Sequence, residues 1–82
     1  MKTVAFSRTA ANALRKHANR AKAIMAKIDQ YAANPAAQAN NVRALTGSPY
    51  LRLRVGDFRV IFSEDTATIN IIDIGPRGGV YE

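Results

Sequence analysis

The stretch YLRLRVGDFRVIF, residues 50–62, constrains this chain more than any other. Apolar and basic residues alternate through Leu51, Arg52, Leu53, Arg54 and Val55, the period of a strand with one buried face. Gly56-Asp57 interrupts the alternation, and Phe58, Arg59 and Val60 resume it. A two-residue connection with glycine first suits a type II′ turn, whose first central residue needs a positive φ. That loop pairs Val55 with Phe58, Arg54 with Arg59, Leu53 with Val60 and Arg52 with Ile61. Leu51, Leu53, Val55, Phe58, Val60 and Phe62 then share one face, and Arg52, Arg54 and Arg59 the other. A slip of one residue would mix the two sets, so the pattern fixes the register.

The flanking sequence supplies the cover for the apolar face. KTVAF reads as a first strand with Val4 and Phe6 inward, and Ser7 sits where a helix N-cap belongs. A helix over 8–17 presents Ala10, Leu14 and Ala18 at helical spacing. A second, over 20–33, lines up Ile24, Met25, Ile28, Tyr31 and Ala32. Asn34-Pro35 ends it, because the residue before proline is pushed out of the helical region. A short turn near Ala18-Asn19 makes the two an antiparallel hairpin.

PAAQANNVRALTGSP, punctuated by proline and glycine, reads as an irregular crossover to the sheet. TINIIDI reads as a further strand, in which the Ile71-Ile72 doublet breaks the alternation and leaves its facing open. GPRGGVYE reads as a glycine-rich loop that brings Arg77 towards the other arginines, followed by a residue or two of terminal strand. The order β-α-α-β-β-β gives an α+β layer, a helical hairpin on one face of a mostly antiparallel sheet.

At 82 residues the chain reads as a single domain, 1–82, near the lower size limit for folding without staples. It has no cysteine, which excludes disulfides and thiolate metal sites and fits a reducing cytosol. No apolar run approaches the roughly 18 residues of a membrane span, and the N-terminus lacks a secretory h-region. A cytoplasmic location is expected, with neither cofactor nor metal. The net charge is +6. Lys2, Arg8, Arg15, Lys16, Arg20, Lys22, Lys27 and Arg43 face only Asp29 in the first half and spread a diffuse positive field. The second half concentrates its cations in Arg52, Arg54, Arg59 and Arg77. A small basic domain meets a polyanion or an acidic protein partner.

Like charges directly opposite each other on a sheet are destabilising, so Arg54 and Arg59 ask for compensation by acidic neighbours or an anionic ligand. Edge charges that discourage aggregation would serve equally well as lysines, yet the predicted hairpin strands carry arginine and no lysine. Arginine suits phosphate because its planar fork donates two parallel hydrogen bonds and stays charged. Tyr81 adds a ring for stacking on a base and a hydroxyl able to pass a proton.

The hairpin together with IGPRGGVY resembles the RelE/ParE toxins of bacterial toxin–antitoxin systems. Their usual pattern is a basic Leu/Arg strand, Gly-Asp-Tyr-Arg-Val-Ile-Tyr, then Ile-Gly-His-Arg and a closing Val-Tyr. The resemblance spans nearly the whole chain, since the element order and the NNVRALTG approach to the hairpin also fit. RelE-type members cleave messenger RNA in the ribosomal A site and are held inactive by a co-expressed antitoxin. ParE-type members share the fold and poison DNA gyrase.

The resemblance implies that Arg59 and Arg77 stabilise the scissile phosphate. Arg52 and Arg54 match basic positions of the preceding strand, and Tyr81 matches the tyrosine that stacks on the base or assists proton transfer. Pro76 replaces a common histidine and Phe62 a tyrosine, and Tyr50 stands where the ribonuclease branch has a lysine taken as general base. The implied catalytic set is therefore Arg54, Arg59, Arg77 and Tyr81, with Arg52, Arg54 and Tyr50 binding RNA and the general base unassigned. The implied partners are a cognate antitoxin and ribosome-bound messenger RNA, with DNA gyrase as the alternative. An acidic antitoxin segment is expected along the basic helices and the sheet edge, leaving Arg59 and Arg77 at least partly accessible.

Overall fold

The computed structural model describes residues 2–76. Strand β1 (Thr3–Phe6) leads into α1 (Arg8–Lys16) and α2 (Ala18–Ala33), and a 3-10 helix (Pro35–Asn41) follows. Strands β2 (Val42–Ala44), β3 (Leu51–Val55), β4 (Phe58–Glu64) and β5 (Thr68–Pro76) complete one sheet in the order β1-β5-β4-β3-β2. All neighbours are antiparallel except β1 and β5, which run parallel. The α+β layer is as the sequence predicts, with one strand more than expected.

The hairpin register matches the prediction pair for pair, from Leu51–Phe62 to Val55–Phe58. Gly56 has φ of 57° and Asp57 is not in the left-handed region, so only the first turn residue needs glycine, as a type II′ turn requires. The inward set of the hairpin meets Ala10 of α1 and Ile24, Ile28, Tyr31 and Ala32 of α2. Leu53, Val60 and Phe62 are at most 2% exposed at the centre of this core.

The isoleucine doublet resolves as a β-bulge. Ile61 pairs with Asp73 and the next residue, Phe62, pairs with Ile71, which leaves Ile72 as the extra residue. Ile69, Ile71 and Ile74 all therefore reach the core despite their uneven spacing. The bulge also shifts Asn70 and Asp73 onto the opposite face.

Three details depart from the sequence reading. The crossover carries a 3-10 helix and the edge strand β2, whose Arg43 stands opposite Arg52. His17 alone separates the helices, so Ala18 opens α2 on the exposed side rather than packing with α1. Gly75 is in extended β5 opposite Arg59 rather than in a turn, because the strand continues through Pro76. The terminal part of the predicted loop and strand, residues 77–82, lies outside the described residues.

Ser7 ties the first strand, the first helix and β5 together. Its Oγ accepts the Ala10 N–H at 3.0 Å and donates to the Ile72 carbonyl at 2.6 Å, while its N–H donates to the Ile71 carbonyl at 2.9 Å. Ser7→Ala loses both side-chain bonds and is expected to cost about 1–2 kcal/mol, read as a lower melting temperature.

Glu64, on the helix side of β4, accepts hydrogen bonds from the Tyr31 hydroxyl and from Lys2 Nζ, the latter at 2.7 Å. Burial opposes its ionisation, but Lys2 and Tyr31 outweigh that and hold the carboxyl below the ordinary value of 4.5. Burial, then Glu64 itself, pushes the Tyr31 hydroxyl well above its usual range. Asp65 is held down as well, by the Ala67 and Thr68 backbone N–H groups. A depressed folded pKa gives stability that is present above the unfolded value and lost as pH falls. Thermal stability is expected to decline as pH drops through and below 4.5, and Glu64→Gln is expected to flatten part of that decline.

Candidate nucleic-acid interface

The strand pairings arrange the face away from the helices in three rows. Two residues along a strand separate the rows, about 7 Å. At the hairpin end Arg54, Arg59 and Gly75 lie side by side. The middle row is Arg43, Arg52, Ile61 and Asp73. The third holds Ser63, Asn70 and Ala5, with Tyr50 one step beyond the Leu51–Phe62 pair and thus level with Ser63.

The arginines of the first two rows border a cleft of about 260 Å³. Arg43, Arg52, Arg54 and Arg59 line it, with Asn40 and Asn41 at the end of the 3-10 helix and Asp57 at the turn. Arg43 faces Arg52 across β2–β3 and Arg54 faces Arg59 across β3–β4, so two like-charged pairs stand directly opposite each other. Such placement costs folding energy and favours an anion between them. Among the described residues the ion pair that the cations form is Lys2–Glu64, on the other face. Arg52 and Arg59 are half-buried and Arg54 is exposed. The Arg52 Nε is buried with no hydrogen-bond partner among the described residues. A buried donor of this kind is costly until something accepts from it.

The structure thus brings Arg52, Arg54 and Arg59 together and adds Arg43, Asn40 and Asn41, which the sequence reading assigned to the crossover. The signal for Arg43 is the alternation Val42-Arg43-Ala44, too short to establish a strand period by itself. Tyr50 is on the arginine face but lines a second, adjoining groove rather than the cleft. Pro76, the last residue of β5, pairs with Phe58 at the border of the cleft. Arg77 and Tyr81 lie outside the described residues. His17 packs edge-on against Phe58, with ring centroids 4.9 Å apart, on the helix side. Among the described residues no group of three His, Cys, Asp or Glu side chains could hold a metal ion, and no helix is long and apolar enough to cross a membrane.

Comparison with known proteins agrees with this architecture. The archaeal RelE of the RelE–RelB complex from Pyrococcus horikoshii OT3 superposes with a TM-score of 0.75 at 24% identity, covering 96% of this chain and 98% of that one. The RelB–RelE antitoxin–toxin complex from Methanococcus jannaschii gives a TM-score of 0.71 at 22% identity, with 94% of each chain covered. YafQ from E. coli gives 0.66 at 14% identity, with both chains covered completely. No significant sequence match to a curated protein accompanies these. The model of the family described as ParE toxin of type II toxin–antitoxin system, parDE, matches residues 4–81. The chain therefore belongs to the RelE/ParE family and is the toxin of a type II toxin–antitoxin system, built on the fold seen in RelE and YafQ.

Proposed function

We propose that this toxin is an endoribonuclease that cuts messenger RNA on the ribosome and so inhibits translation. The observation that carries the reading is the cleft in which Arg43, Arg52, Arg54 and Arg59 converge, with two like-charged pairs held face to face. RNA brings its own nucleophile. The 2′-hydroxyl attacks the adjacent phosphate, the P–O5′ bond breaks, and the products are a 2′,3′-cyclic phosphate and a 5′-hydroxyl. The protein's main task is then to neutralise the dianionic phosphorane, and one well-placed donor is worth roughly 3 kcal/mol.

Arg59 and Arg54 are the described side chains assigned to that charge, with Arg52 and Arg43 holding the flanking phosphates. Arg77 and Tyr81 complete the set by their match to the family pattern. Arginine is a poor proton carrier, since its pKa exceeds about 12. The proton from the 2′-hydroxyl therefore goes to another group, with Tyr50, Tyr81 and a ribosomal group as the candidates. The protein acts in the cytoplasm, restrained by a cognate acidic antitoxin that docks along the exposed basic residues of α1 and α2 and the sheet edge.

Inhibition of DNA gyrase is the second reading, favoured by the match to the ParE model. Two assays separate them. Addition to a translation extract is expected to truncate the messenger, while purified gyrase is expected to accumulate no cleaved-DNA complex. The reverse pattern contradicts the ribonuclease and supports the gyrase inhibitor.

A further inference from the structure

The turn end of the hairpin meets the helix junction through a pair of rings. Val55, Phe58 and Pro76 form one row across β3, β4 and β5, on the helix side of the sheet. Each member of that row adjoins an arginine in the chain. Val55 follows Arg54, Phe58 precedes Arg59 and Pro76 precedes Arg77. Of the three, Phe58 is buried, Val55 half-buried and Pro76 exposed, so the row is anchored at its middle. The anchor is His17, whose ring stands edge-on to Phe58 with centroids 4.9 Å and planes 77° apart, the favoured T-shaped arrangement. His17 is itself fixed. It is the one residue between α1 and α2, its N–H donates to the Ala13 carbonyl at 2.9 Å, and its carbonyl accepts from the Arg20 N–H at 2.8 Å.

From this contact we infer that His17 is a positioning residue for the reaction: its ring clamps Phe58 to the helix junction and so holds Arg59 at the reacting phosphate. The His17 ring is on the other side of the sheet from the arginine cleft, so it acts through Phe58 and not on RNA. Phe58 opens β4 directly after the exposed Gly56-Asp57 turn, where the hairpin has no further residues to stiffen it. A displacement of Phe58 reaches Arg59 through a single peptide unit. In a preorganised site a shift of about 1 Å can cost 10²-fold in rate. The contact leaves the charge of the cleft unchanged, so it bears on the chemical step and not on RNA affinity.

The inference rests on the ribonuclease reading, and the test separates the two. Cleavage of ribosome-bound messenger gives kcat and KM for the full-length wild type, His17→Ala and His17→Phe, each assayed below its melting temperature. His17→Ala is expected to lower kcat roughly ten-fold with KM within about two-fold of wild type. His17→Phe keeps the edge-on contact, and a recess of about 280 Å³ beside the half-buried ring admits its extra atoms. It is expected to bring kcat back to within about two-fold of wild type. Phe58→Leu keeps an apolar side chain without the ring, and adding His17→Ala to it is expected to lower kcat by less than about two-fold. Should His17→Ala unfold, His17→Gln takes its place, with comparable bulk and no ring. A folded ringless variant with wild-type kcat, a His17→Phe protein as slow as that variant, or losses that multiply in the double variant overturn the positioning role alone. A wild type that cuts no RNA overturns the ribonuclease reading and the positioning role with it.

Discussion

Arg59→Ala is expected to lower messenger cleavage by 100-fold or more and to abolish growth arrest on induction. The side chain stands on the face away from the helices, directly opposite Arg54 and on the lining of the cleft. Removing one donor that is preorganised for an oxyanion costs about 10²–10³ in rate. Arg59→Lys keeps the charge without the two-pronged donor and is expected to fall between wild type and alanine. Arg54→Ala provides the control on stability. It removes an exposed like charge from the Arg54–Arg59 pair, so it is expected to leave stability unchanged or raise it by up to about 1 kcal/mol. Paired growth assays and thermal melts read both effects. An Arg59→Ala protein that is folded and fully toxic would remove the cleft from the mechanism.

Leu53→Ala is expected to have the opposite signature, loss of the fold itself. Leu53 is 2% exposed, pairs with Val60 in the hairpin and Val42 at the sheet edge, and belongs to the core that α2 covers. A buried leucine truncated to alanine costs about 2–5 kcal/mol. Small domains carry about 5–15 kcal/mol in all, so this change consumes a large share of the total. Urea unfolding is expected to show a midpoint shifted far below wild type, with toxicity falling alongside protein abundance. Val55→Ala, at a half-buried strand end, is expected to shift the midpoint less. Equal shifts for the two would mean that the core is not centred where the packing places it.

What was legible in the sequence follows from how many residues carry each signal. The hairpin spans enough residues for its period of two to fix register, facing and turn together, and all three agree with the structure. The start of α1 and the end of α2 were legible from Ser7 and Asn34-Pro35, because capping and proline act locally, whereas the single-residue break at His17 carries no such signal. Strand β2 was not, since three residues make barely one alternation and its partner is chosen by tertiary pairing. Arg43 therefore reads as part of the diffuse positive charge of the first half, although it lines the cleft. The facing of β5 was undecidable from Ile71-Ile72, because a bulge is set by the strand beside it. The same bulge decides which face Asn70 occupies, so the neutral row beside the arginines had no counterpart in the sequence pattern.

The central claim is that the arginine cleft stabilises an in-line attack by the 2′-hydroxyl of bound RNA. The most direct test is a ribosome-bound messenger carrying a single 2′-deoxy nucleotide on the 5′ side of the mapped cut. Cleavage at that position is expected to vanish while neighbouring sites are still cut, and the all-ribose messenger is expected to yield a 2′,3′-cyclic phosphate and a 5′-hydroxyl. Unchanged cutting of the deoxy-substituted messenger, or products bearing a 5′-phosphate, would contradict the account.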